Sequence, residues 1–327
     1  MKEWFQLFRA QTAPATTLSL VTPLLISGCN NILLILILFI LAHPIHYFCF
    51  GHNSLMDYWL DKEDPSKKHH PLPSGKISIE SATKVLLYGQ IIVFIILLII
   101  ILYYSLNPIL SLTFLLFYIL FGHAYNDGLD HRTTHSWIPI SLCFASFPLV
   151  TYTFFKTIDN IAILIFLWAF IVQIYEIALL GNLKDLWNPF EKYNLLRRFI
   201  IYQSNDIIVL NKSLLCFFLF LRGIISTLLL LIMFYLLKLP LENLICLIVL
   251  TIIELYAVLS IHIELQSYKP KNRDKLLSLF GLAESTEFFR FTTLVPITFT
   301  FILITYGLIY FVLANKLLWG TRLGPKV

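Results

Sequence analysis

Apolar runs of about 18 residues or more recur along most of this 327-residue chain, and each is long enough to cross a membrane as a helix. Composition agrees: 58% of the residues are hydrophobic and only 13% carry charge, about half the usual share for a soluble domain. The expected fold is therefore all-α and polytopic, with nine transmembrane helices at roughly 13–28, 31–50, 84–106, 108–124, 138–155, 161–180, 213–237, 241–263 and 293–313. The first run is weak, broken by Pro14, Pro23 and several threonines. The five cysteines show no CxxC spacing and read as small apolar packing residues. The opening MKEWFQLFRAQTAP lacks the short apolar core and small-residue site of a cleaved signal peptide.

The few charges are unevenly placed. Lysines and arginines gather at the amino-terminus and in the loops after the second, fourth, sixth and eighth runs. The other side holds only Lys156, Lys238, Lys316, Arg322 and Lys326. Cytoplasmic loops of membrane proteins carry the excess of positive charge, so the first side is expected to face the cytoplasm and the carboxy-terminus the outside. That side also has the long loops, which is where function concentrates. The segment 190–214 mixes Leu, Ile and Tyr with charges, as a helix lying at the interface does. The basic run 269–275 is expected to contact anionic lipid headgroups.

The densest run of charge is 53–76, NSLMDYWLDKEDPSKKHHPLPSGK. Asn53, Asp57 and Asp61 recur at four-residue steps, each turning a helix by only ~40°, so the three share one face over ~12 Å. Asp64 returns to that face, and Pro65 disfavours helix at the residue before it. Oxygen donors strung over that length suit an extended anion with its divalent cations. Magnesium fits best, because it takes one or two carboxylates and lets substrate phosphates complete its shell. A solvated acidic helix end would show the same spacing. A second polar cluster closes the sixth run, with Tyr175, Glu176, Asn182, Lys184 and Asp185. Glu176 lies deep enough to need a partner or a cavity. Runs two and six thus both end in Asn and Asp on the same side. Arg222 and Glu254 fall inside runs seven and eight, and pairing between them or with Glu176 is expected. His43 and His46 flank Pro44 and read as hydrogen-bonded core histidines near a polar cavity. The patch Asn126, Asp127 and Asp130 reads as an Asn-Asp-Gly turn, with metal binding as the other use of those oxygens.

These motifs resemble the UbiA family of intramembrane prenyltransferases. The family's first motif, an Asn and then Asp at four-residue steps, falls on Asn53, Asp57 and Asp61. Its basic-Pro-Leu-x-Ser-Gly-basic turn falls on His70 to Lys76. Phe8-Arg9-Ala10-Gln11-Thr12-Ala13-Pro14 is similar to the family's lead-in to its first helix. The second motif is degenerate: Asn182 and Asp185 match its opening, but Pro189 stands at the next acidic position. His70 replaces the usual Arg, and the Tyr-x-x-x-Lys pattern would begin at Tyr125 but meets Leu129, leaving Arg132 as the nearest cation.

The resemblance implies one UbiA-like domain over 1–327 that acts as a transferase, moving a prenyl group from a prenyl diphosphate to a lipophilic acceptor. It implies Mg2+ held by Asn53, Asp57, Asp61, Asn182 and Asp185, with Asp57, Asp61 and Asp185 catalytic. Lys67, Lys68, Lys76, Lys184, Arg132 and Arg9 are the expected substrate-binding cations. An aromatic or quinone precursor is the favoured acceptor, ahead of a polyprenyl-glycerophosphate. A non-catalytic relative that binds prenyl lipid is the competing class. A transporter is disfavoured, because the acidic clusters lie at helix ends and not at mid-bilayer. Membrane lipids are the expected surroundings, and no nucleic-acid partner is expected.

Overall fold

In a computed structural model, residues 1–64, 67–129, 132–184, 186, 192–204, 207–265, 269 and 273–321 are described. The architecture is helical. In chain order the elements are α1 (Lys2–Leu7), α2 (Ala13–Ile26), α3 (Ile32–Met56), α4 (Tyr58–Asp61), α5 (Ile79–Tyr104), α6 (Pro108–His123), α7 (Trp137–Tyr152), α8 (Asn160–Gln173) and α9 (Asn182–Lys184). A short hairpin, β1 (Ile200–Gln203) and β2 (Ile208–Leu210), precedes α10 (Lys212–Leu231), α11 (Leu241–Leu265), α12 (Arg273–Thr292) and α13 (Ile297–Trp319). Among the described residues, seven helices are long and apolar enough to cross a membrane: α3, α5, α6 with its continuation, α8 with its continuation, α10, α11 and α13. In such segments the helix satisfies its own backbone, which lipid cannot do. The expected first and fifth spans appear as the shorter apolar helices α2 and α7.

Two departures from expectation have clear causes. The described part of 190–214 is not an interfacial helix: a 3-10 turn (Leu195–Phe199) leads into the antiparallel hairpin, with Ile200 opposite Leu210. The β-branched run Ile207-Ile208-Val209 favours strand over helix, and Ile208 and Leu210 are fully buried. Helix α12 was missed as a buried element because its inward face carries charge, Glu287 and Arg290, which a hydropathy window counts as solvent-facing.

The chain divides into two units. The first comprises Met1–Ile119, Phe147–Thr157 and Thr305–Val327; the second, Leu120–Ser146 and Ile158–Ile304. In the first unit α3 packs against α2 and α5. Gly51 and Gly89 let α3 and α5 approach: a Cβ on Gly89 would stand 2.4 Å from the Phe48 ring, and one on Gly51 2.5 Å from Leu86. The amino-terminal α1 lays Leu7 and Phe8 into a small apolar cluster with Leu72, Ile77, Ala82 and Leu86.

In the second unit the apolar core runs from Tyr175 through Leu214 and Phe218 to Ala283. Beside it lies a buried ion network. Arg222 meets Glu176 at 3.0 Å, Glu254 at 2.9 Å and Glu287 at 3.2 Å, as the sequence pattern led one to expect for the first two. Arg290 pairs with Glu254 and, at 2.8 Å, with Glu287, whose other oxygen accepts from Trp168 Nε1 at 2.7 Å. The Arg222 guanidinium stacks 3.9 Å from the Tyr175 ring. Every charged member is more than nine-tenths buried, so each is committed to its partners.

Candidate active site

The first motif is built at the end of α3. The backbone continues through Asp57 in helical conformation: Asp57 N–H donates to Asn53 O and Asp61 N–H to Asp57 O, both at 2.9 Å. Asn53, Asp57 and Asp61 therefore stack one turn above another, as their spacing predicts. Helical structure stops at Asp61, so Asp64 lies beyond the stack and starts a turn, its carbonyl accepting from Lys67 N–H at 3.0 Å.

Cations already stand against both carboxylates. Arg9 Nη2 lies 3.6 Å from Asp57 Oδ2, and Lys67 Nζ lies 2.9 Å from Asp61 Oδ1. Asp61 is only 9% exposed, so its charge is held by this pairing more than by solvent. The donors, one amide oxygen and two carboxylates, are all hard oxygens of the type magnesium prefers. Lys68 and Lys76 are exposed on the same segment, and Arg132 is exposed in the second unit.

The turn after Lys67 is closed by its own backbone. Ser74 N–H donates to His70 O, Gly75 N–H to Leu72 O and Ile77 N–H to Pro71 O. Gly75 has φ +72°, a conformation open to glycine and strained for other residues. Leu72 and Ile77 anchor the turn in the α1 cluster, and Ser78 caps α5 by accepting from Ser81 N–H. His70 packs against Trp319 with the rings tilted by 44° and their centroids 5.6 Å apart. Burial, aided by Lys67, His69 and Arg9, pushes its imidazole down to about 3, with Asp64 acting the other way.

The second cluster begins where α8 widens into a π-turn, Ile174–Gly181, a form enriched at functional sites. Asn182 locks its end: Nδ2 donates to Ile177 O at 3.0 Å, and Oδ1 accepts from Leu195 N–H at 2.8 Å. The amide thus joins the π-turn to the following loop and keeps one lone pair on Oδ1. Asp185 lies outside the described residues, and Lys184 is described in its backbone only. Residues 270–272 of the basic run 269–275 also lie outside them; Lys275 pairs with Glu264. The Asn126–Asp127 segment is no tight turn but a π-turn, Ala124–Leu129, continuing α6, with His123 Nδ1 2.7 Å from Asp127 Oδ2.

Sequence reasoning missed the Arg9–Asp57 pair, which joins residues 48 positions apart, and the partners Glu287 and Arg290. The left-handed backbone of Arg9, φ +48°, has no sequence signature.

A polytopic helical membrane protein whose long second apolar helix ends in a stacked Asn-Asp-Asp face defines a class with polar chemistry at a membrane boundary. The chain belongs to the UbiA prenyltransferase family, whose model matches residues 14–291. Three solved structures share the fold. One is described as a UbiA homolog from Archaeoglobus fulgidus bound to DMAPP and Mg2+, with 12% identity and a TM-score of 0.62, covering 93% of this chain and 99% of that one. The same homolog bound to GPP and Mg2+ gives 13% identity, a TM-score of 0.60 and the same coverage. The third, a study of digeranylgeranylglyceryl phosphate synthase in membranes, gives 19% identity and a TM-score of 0.58 over 89% of this chain and 96% of that one. No curated protein matches the sequence.

Proposed function

We propose that this protein is a Mg2+-dependent prenyltransferase that moves a prenyl group from a prenyl diphosphate to a lipophilic acceptor. The observation that carries the reading is the stacked face of Asn53, Asp57 and Asp61 with Arg9 and Lys67 beside its carboxylates. The family supports it, and so do the two Archaeoglobus fulgidus structures, which hold a prenyl diphosphate with Mg2+ on the same fold.

The proposed magnesium ligands are two sets, Asn53, Asp57 and Asp61 in the first unit and Asn182 and Asp185 in the second. Bound there, the metal would supply positive charge where pyrophosphate collects negative charge as it leaves. The chain's own cations do related work. Arg9 and Lys67 are placed to turn from carboxylate to phosphate oxygens once the acidic face takes other cations. Lys68, Lys76, Arg132 and Lys184 are the further phosphate contacts in this reading. Asp57, Asp61 and Asp185 act as catalytic residues by fixing the charge that stabilises the departing diphosphate. The prenyl tail lies among apolar helices, away from water that would quench an allylic cation.

The preferred acceptor is an aromatic or quinone precursor, and the site faces the cytoplasm by the distribution of lysine and arginine. The two units serve one domain over 1–327. The test is purified protein in lipid vesicles with Mg2+ and prenyl diphosphates of several lengths. Pyrophosphate release is followed against aromatic, quinone-precursor and glycerophosphate acceptors. Release with an aromatic or quinone-precursor acceptor supports the reading, and silence with every donor supports a non-catalytic prenyl-lipid-binding protein.

A further inference from the structure

His46 is 1% exposed in the middle of a membrane-spanning helix, yet both ring nitrogens are engaged. Nδ1 lies 2.8 Å from Thr16 Oγ1, and Nε2 lies 3.2 Å from the Arg9 carbonyl and 3.1 Å from Thr12 Oγ1. A carbonyl only accepts, so Nε2 carries the proton, and Nδ1 accepts from Thr16 Oγ1–H. The Phe50 ring stacks on the imidazole at 4.1 Å and fixes its plane.

The carbonyl that His46 holds belongs to the residue with the unusual backbone. Arg9 sits at φ +48°, ψ +42°, between the end of α1 and the 3-10 turn Ala10–Thr12. Chain reversal after a helix commonly uses this conformation, but with glycine, since a side chain there is strained. The Arg9 carbonyl also accepts from Thr12 N–H at 3.0 Å and Thr12 Oγ1 at 2.8 Å. Three donors from two elements, α3 and the lead-in to α2, thus hold one peptide in a conformation its residue type disfavours. The result is visible at the other end of Arg9, where Nη2 reaches Asp57 Oδ2 at 3.6 Å.

We infer that His46 is a positioning residue for the diphosphate site. By holding the Arg9 carbonyl it sets the left-handed turn that aims the Arg9 guanidinium at Asp57. The inference rests on the functional reading above, in which Arg9 and Asp57 belong to the donor site. A glycine at position 9 would make the turn more easily but would leave no guanidinium. An arginine in that turn has a use only if something remote fixes its backbone, and His46 occupies that place. His46 lies 11 residues before Asp57 on the same helical run, so the turn is referenced to the helix that carries the acidic face.

The test is a double-mutant cycle on binding, read without turnover. Geranyl diphosphate with Mg2+ and no acceptor is titrated into vesicle-reconstituted wild type, His46→Leu, Arg9→Gln and the double variant. Arg9→Gln should weaken binding about tenfold, the size of one lost charged contact. His46→Leu should weaken it similarly, and the double variant should be no worse than Arg9→Gln alone. His46→Gln, which keeps a donor and an acceptor, should recover most of the loss. Should His46→Leu fail to fold, Thr16→Val, which removes the hydroxyl that His46 Nδ1 accepts from, replaces it in the cycle, with thermal unfolding as the control. Additive losses, or a folded His46→Leu that binds as wild type does, would overturn the inference while leaving the functional reading in place. Wild type that binds no prenyl diphosphate at any Mg2+ concentration would overturn both.

Discussion

Lys67 Nζ lies 2.9 Å from Asp61 Oδ1, with the two side chains only 17% and 12% exposed. A shielded ion pair at the end of a membrane helix is worth more than a surface one, and it keeps the Asp61 carboxylate oriented before any substrate arrives. Asp61→Asn should therefore lower turnover about 10²–10³-fold, the usual scale for removing one fixed charge-stabilising group. The thermal midpoint should move little, because Asn keeps an acceptor for Lys67. Steady-state pyrophosphate release alongside a melting curve checks both halves.

The buried network around Arg222 makes the opposite prediction. Arg222→Met strands Glu176, Glu254 and Glu287 near one remaining guanidinium, and breaking a buried pair from one side costs about 3–5 kcal/mol. Adding Glu176→Gln removes one stranded charge and should recover part of the loss. Unfolding equilibria in mixed micelles measure the two variants against wild type.

Contact between α3 and α5 depends on the absence of a side chain at Gly89. Gly89→Ala puts a methyl 2.4 Å from the Phe48 ring and should destabilise by about 1–3 kcal/mol through overpacking. Phe48→Leu in the same protein should restore most of it. Equal stability of Gly89→Ala and wild type in the same micelle unfolding assay would mean that the helices are not so close.

His70 gives a pH signature. Its imidazole is held down to about 3 in the folded protein, mainly by burial, against roughly 6.5 in an unfolded chain. The unfolded state therefore binds the proton first. Stability from this residue is complete above about pH 6.5 and declines as pH falls toward 3. His70→Gln should flatten the fall in thermal midpoint between about pH 6.5 and 4.5, measured against wild type in identical buffers.

Much of this is legible in the sequence. Four-residue spacing dictated that Asn53, Asp57 and Asp61 share a face, and Arg222 inside an apolar run demanded the acidic partners that it has in Glu176 and Glu254. Local periodicity carries that information. The Arg9–Asp57 contact, the Glu287–Arg290 half of the ion network and the hairpin at 200–210 were not legible from it. The first two depend on which distant segments meet, and the hairpin on strand preference winning over an amphipathic pattern. Asn182 is intermediate: the pattern located it, but not its role as the joint between the π-turn and Leu195.

The most direct measurement of the central claim is Mg2+-dependent pyrophosphate release from a prenyl diphosphate by the vesicle-reconstituted protein, with wild type beside Asp57→Ala. The account predicts release by wild type that stops on chelation and returns with Mg2+, and none above background from an equally stable Asp57→Ala. Full activity of Asp57→Ala, or release indifferent to chelation, would contradict it.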